Sequence, residues 1–281
     1  MSYQSSVTFA TVESIFILNI LLRAVHSKQE HVRQQLFALP MMVSIFFIEV
    51  IEALLWSRPE ELIPITDAAT RRCPTRNAKL TLLAWLCIIF QPLYVTWSCR
   101  RTGDARNWSV FLIPERMSMA FAISMVVSYL YTALSPSMPL HTLADTNYTS
   151  YYNNETCTYI GKAGHLHWTL AIVDSYLAPN AYPYVLIWAS CVFARPLHLV
   201  SGILLFGLFL FVLFLIGYHG RFEAGSVWCW SAIIMHLYIF LHPVLFSEYD
   251  KAGAFSEKQT WASIHAREAV LPSLATHKLL E

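Results

Sequence analysis

The sequence predicts an all-α, polytopic membrane protein built as a bundle of seven transmembrane helices. Three observations predict it. The 281 residues are 56% apolar and only 13% charged, where soluble domains carry about 25% charged residues. The mean hydropathy is +0.46. Seven stretches of mostly apolar sequence reach the length of about 20 residues that a helix needs to cross ~30 Å of hydrocarbon at ~1.5 Å per residue. A formal charge of +1 offers no basic face to a polyanion, so nucleic acid is excluded as a partner and the lipid bilayer is the partner that composition names.

The predicted spans run over residues 7–24, 36–56, 80–99, 112–134, 167–192, 197–218 and 226–247. The first, VTFATVESIFILNILLRAV, carries Glu13 and Asn19. It reads as a retained helix and not as a signal peptide, because Met1 to Phe9 has no positive charge and no small-residue cleavage site follows. Pro40 stands near the start of the second helix, where the missing N–H costs nothing. Gln91-Pro92 in the third helix and the PNAYP stretch, Pro179 to Pro183, in the fifth predict kinks, since a proline removes a donor and collides with the carbonyl four residues earlier. The sixth, LHLVSGILLFGLFLFVLFLIGY, is almost pure hydrocarbon. Trp56, Trp168 and the WCWSA stretch at 228–232 fall at one interface, as an aromatic belt. Residues 1–247 thus form the bundle, and residues 248–281 form a cytosolic tail in which QTWASIHAREAVL has amphipathic character.

Orientation follows from the loops. The 135–166 loop holds two glycosylation sequons, at Asn147 and Asn154, which have meaning only on the lumenal or extracellular side. With that loop outside, the N-terminus is outside and the C-terminus cytosolic, and Lys and Arg divide twelve inside to seven outside, in the direction of the positive-inside rule. A third sequon at Asn107 then faces the cytosol and stays silent. Cys87, Cys99, Cys191 and Cys229 lie within or at the ends of helices, whereas Cys73 and Cys157 fall in the two long outer loops, where oxidation is permitted. A Cys73–Cys157 disulfide is expected. Such a chain belongs in the secretory pathway, the plasma membrane or a viral envelope.

Four stretches carry a resemblance. CPTRNAKLTLLAWLCIIFQPLY leading into the third helix, FIEVIEALLW on the second, CTYIGKAGHLHW entering the fifth and GSVWCWSA entering the seventh resemble an uncharacterised family of multi-helix membrane proteins of protists, algae and large DNA viruses. The resemblance spans most of residues 40–235 and implies architecture alone, without catalytic residues. Other seven-helix families are set aside on chemistry. A retinal Schiff base needs a lysine in the last helix, and residues 226–247 contain none. The membrane metal hydrolases similar to alkaline ceramidases need an H-x-x-x-H pair there, whereas His236 and His242 are six apart, roughly 120° around and about 9 Å along a helix.

Ionisable groups in hydrocarbon are costly, so they face the bundle interior, pair, or line a polar path. At ~1.5 Å per residue, Glu13 lies roughly 9 Å below the outer surface, Glu52 roughly 6 Å, Glu49 about 10 Å and Asp174 about 10 Å, with His165 and His167 at the rim. Gln91, Asn180 and His236 follow near mid-depth. Four carboxylates cannot all remain ionised in a low dielectric without protons, a metal or a cationic ligand beside them. Glu49, Glu52, Asp174, His165 and His167 together form a ligand set that a divalent metal such as zinc, manganese or iron accepts.

Three functions fit this pattern. The leading one is an outward-opening acidic and histidine-rimmed pocket that binds a proton, a small cation or a cationic ligand for transport or sensing. The second is an intramembrane metal-dependent hydrolase acting on a lipid. The third is a membrane scaffold, its polar residues satisfied by neighbours such as Ser14, Trp85, Tyr94, Tyr129 and Tyr176.

Overall fold

The computed structural model describes residues 3–26, 35–68, 70–101, 105–134, 152–153, 155–162, 164–172, 181–194 and 233–241. These residues are mostly helical. The helices are α1 (Tyr3–His26), α2 (Leu39–Trp56), α3 (Thr75–Arg101), α4 (Ala105–Val110), α5 (Leu112–Leu134), α6 (Ala181–Ala189) and α7, over 233–241. Among the described residues four helices, α1, α2, α3 and α5, are long and apolar enough to cross a membrane. The predicted sixth span, Pro179 and Asn180 of the PNAYP stretch, the WCWSA stretch and the 248–281 tail lie outside the described residues.

Each long helix forms where apolar residues recur over about twenty positions, and prolines fall where the helix tolerates them. Pro40 sits in the first turn of α2 and ends nothing. Pro92, expected to kink the third helix, lies inside an α3 that continues to Arg101. Hydroxyls take up the carbonyl of Pro92 itself: Thr96 Oγ1 donates to it at 2.8 Å and Ser118 Oγ of α5 at 3.3 Å. Helix α3 is the axial element, packed on α2, α5 and α6. A core of Ile20, Met41, Met42, Ile45, Val95 and Phe111 fills the end of the bundle where α3 terminates.

The other end carries a sheet, and here the structure corrects the expectation from sequence. Residues 167–171, expected inside a fifth span, belong to a strand. The sheet contains β1 (Ile63–Pro64), β2 (Tyr152–Asn153), β3 (Cys157–Ile160) and β4 (Leu166–Ala171), in the spatial order β1-β3-β4-β2. Strands β3 and β4 are antiparallel, with Cys157 opposite Thr169, Tyr159 opposite His167 and Ile160 opposite Leu166. The outer strands β1 and β2 pair parallel to β3 and β4. The physical reason is local. Thr158, Tyr159, Ile160, Trp168 and Thr169 favour a pleated backbone. Between the two runs Gly161 N–H donates to the His165 carbonyl at 2.8 Å, and Gly164 adopts a φ of +82°, so the chain reverses. The helix after this hairpin is α6, nine residues long, and Pro183 falls in its first turns.

Period-two alternation gives the hairpin two faces. Leu166 and Trp168 pack onto Ile48, Ile51 and Leu55 of α2 and Ala84 of α3, while Leu170 joins Trp85, Ile89 and Met125. Trp168 is therefore buried against the bundle and does not stand in an aromatic belt. The opposite face carries Cys157 and Tyr159, packed with Ile63, Ile65 and Ala68. There Cys73 and Cys157 are joined in a disulfide, with Cα atoms 5.8 Å apart and 84 positions between them in sequence.

Asn77, fully buried at the start of α3, joins the sheet to the helices. Its Oδ1 accepts from Thr158 N–H at 2.9 Å and its Nδ2 donates to the Thr158 carbonyl at 2.9 Å and the Glu61 carbonyl at 3.2 Å. The amide thus imitates a neighbouring strand. One turn on, Thr81 Oγ1 lies 2.6 Å from Thr158 Oγ1. At the rim Glu61 pairs with Arg58 and Arg76, each at 3.1 Å. Desolvation acts to raise the Glu61 carboxyl, but the hydrogen bonds and charges of those two arginines outweigh it and hold the group below the ordinary carboxylate value.

Candidate functional site: a buried acidic cluster

Helix α1 buries Ser6, Phe9, Glu13, Ile20 and Ala24, which recur at helical spacing, so Glu13 points into the bundle because the stripe around it is the packing face. On α2, Glu49 and Glu52 are three residues apart and share one face. Glu13, Glu49, Glu52 and His236 of α7 are all fully buried. Glu52 and Glu13 are the electrostatic neighbours of Glu49, and His236 Nδ1 lies 3.2 Å from Glu13 Oε1.

The cluster is short of hydrogen bonds. Among the described residues neither oxygen of Glu13, neither oxygen of Glu49 and neither ring nitrogen of His236 has a hydrogen-bond partner; the His236–Glu13 approach is at ion-pair distance but off the hydrogen-bonding line. A buried polar atom left without a partner costs on the order of 1–3 kcal/mol, and more if it is charged. Three carboxyls and an imidazole in such a place keep their charges only when the charges cancel. Their net charge is therefore set by how many protons or cations they hold.

The remaining candidates from the sequence divide. Gln91 is fully buried on α3, and its Oε1 accepts from the Tyr184 hydroxyl at 2.6 Å. Ser44 of α2 donates to the Cys87 carbonyl of α3, which aligns the two helices and puts Gln91 roughly 13 Å along the axis from Glu49 at ~1.5 Å per residue. His236, expected at that deeper level, is placed by the structure beside Glu13. His167, expected at the mouth of the acidic layer, lies on the other side of the sheet. It shares a face with its partner Tyr159, whereas Leu166 and Trp168, its neighbours in the strand, face the helices. Burial lowers the His167 imidazole to about 4, so its neutral form is the resident one. His165 sits in the turn, half-buried. Asp174 and Asn180, like the sequons at Asn147 and Asn154, lie outside the described residues.

Of the five-residue metal set, Asp174 lies outside the described residues and His167 stands on the far side of β4 from Glu49 and Glu52. Among the described residues Glu49 and Glu52 share a face of α2, and no three His, Cys, Asp or Glu side chains converge on a point that would hold a metal ion. Compared with known proteins, the chain matches no family model, no curated protein and no solved structure.

Two contacts carry no signal in the sequence. Cys99 and Cys191, both fully buried, bring their thiols to 3.5 Å. Arg100 Nη1 binds Glu115 at 2.8 Å. Neither partner of these pairs is marked by spacing, because each pair spans two helices.

Proposed function

We propose that the chain is a seven-helix integral membrane protein, of the multi-helix family it resembles, whose outer half holds a proton- or cation-binding site for transport or sensing. The observation that carries the reading is the placement of Glu13, Glu49, Glu52 and His236, from three helices, in one fully buried cluster. Ionisable groups at such depth serve a proton or ion path by default. The Cys73–Cys157 bridge supports an oxidising outer side for the sheet, hence an outer N-terminus and a secretory or envelope membrane. The hydrolase reading has less behind it, because His167 lies across the sheet from Glu49 and Glu52.

The test is a titration of the full chain in detergent, with proton release followed by a pH dye and cation binding by calorimetry. Glu49→Gln and Glu13→Gln are each expected to remove one titrating group from the profile, and to weaken any bound cation about tenfold or more, the scale of one lost charge partner. Folded variants with unaltered proton release and unaltered cation binding would overturn the site.

A further inference from the structure

The end of the bundle opposite the sheet has its own chemistry. Helix α3 closes on Arg100 and Arg101, α4 carries Arg106, and Arg116 stands in the first turns of α5. The Arg100 guanidinium lies 4.0 Å from the Trp108 ring centroid, and that of Arg101 lies 5.1 Å from both Trp108 and Trp97. One indole therefore holds two guanidinium groups close together. Contact with an indole holds a guanidinium in place, and a planar guanidinium fork is the group that binds phosphate oxygens in pairs. Glu115 engages Arg100, as does the Trp108 carbonyl at 3.1 Å, so Arg100 acts as the anchor of the corner. Arg106 and Arg116 are exposed. Between residues 97 and 117 the sequence has four arginines against Asp104 and Glu115, a net of +2.

We infer that this corner of α3, α4 and α5 binds the phosphate-bearing headgroup of an anionic phospholipid. Depth selects the lipid over a soluble anion. Both α3 and α5 are long and apolar enough to span, their ends here meet the headgroup layer, and indoles favour that layer. Clustered arginines directly beyond a span are attracted to anionic lipid, with about fivefold in affinity for each. The inference rests on the four apolar helices and not on the acidic cluster.

The full chain in a neutral detergent is titrated with short-chain phosphatidic acid, with short-chain phosphatidylcholine and with inorganic phosphate, with thermal unfolding and native mass spectrometry as readouts. Phosphatidic acid is expected to raise the unfolding temperature saturably and to remain bound in the gas phase, the other two to do neither. Because Arg106 and Arg116 are exposed, the double variant Arg106→Gln/Arg116→Gln keeps the fold; it should weaken phosphatidic acid roughly 25-fold, and Arg101→Gln should weaken it further. Added salt should weaken it as well. Equal responses to phosphatidylcholine or to inorganic phosphate, or an undiminished response in the double variant, would overturn the assignment. The titrations of Glu13 and Glu49 are untouched by either result.

Discussion

His167 is folded into a place that rejects its charge. Its imidazole drops from an unfolded value of 6.5 to about 4 through burial, so between those two values the unfolded chain binds the proton that the folded chain refuses. Stability is then fully present above the unfolded value and is lost as pH falls towards 4. The limit of the loss is on the order of 3 kcal/mol. Thermal unfolding measured across that window should show a downward slope on acidification that flattens in His167→Phe; a slope unchanged by that substitution would assign it to other groups. Glu13 is legible in part. Its buried stripe is legible, because Ser6, Phe9, Glu13, Ile20 and Ala24 recur at helical spacing. Its partner is not, since His236 is more than two hundred positions away and only packing of α7 on α1 brings them together. That packing is tied elsewhere by Arg23, which donates to the Phe240 carbonyl at 3.1 Å and covers its ring at 4.2 Å.

At the scale of elements, the joint between α3 and the sheet depends on one amide. Asn77→Ala leaves both the N–H and the carbonyl of Thr158 without that buried partner, and the loss should be about 2–3 kcal/mol in unfolding free energy. Asn77→Asp sets a carboxylate oxygen against the Glu61 and Thr158 carbonyls in a fully buried place, so its loss should be at least as large as that of Asn77→Ala. The four helices long and apolar enough to cross a membrane are legible because hydropathy over about twenty residues depends little on exact packing, and the predicted 112–134 is the observed Leu112–Leu134. The hairpin hides in the sequence for a physical reason. Leu166 to Leu170 is buried on both faces, five residues in succession, and a strand covered on both sides looks as apolar as the start of a helix. The clue is the pair of glycines, Gly161 and Gly164, standing between two runs rich in threonine and aromatic residues. Once the hairpin is taken for a helix, His167 falls at a helix rim, on the same side as Glu49 and Glu52, whereas in the folded chain it faces away from them across the sheet.

For the whole molecule, the disulfide and the acidic cluster lie towards the sheet end and the arginine corner lies at the opposite end. Under the proposed orientation, Asn147 and Asn154 belong with the sheet. In a secretory host the chain should shift on a gel after glycosidase treatment, and the shift should vanish in Asn147→Gln/Asn154→Gln. Ser109→Ala, which removes the third sequon, should change nothing, and Asn107 is in any case buried in α4. A shift that survives the double variant would reverse the sidedness argued here. Loss of the Cys73–Cys157 bridge belongs to the same scale. A closed loop of 84 positions corresponds to roughly 4–5 kcal/mol by chain entropy, so a reducing agent should lower the unfolding temperature of the wild type and leave that of Cys73→Ser unchanged.

Strand addition is the usual hazard of an exposed sheet, since an open edge is a template for another chain. Both outermost strands here are two residues long, and β1 contains Pro64, which has no N–H to offer. A ladder so short cannot register a foreign strand, and a proline within it halves what little remains. Among the described residues the sheet is thereby terminated on both sides by its own sequence, which leaves a neighbouring copy of the chain little to pair with.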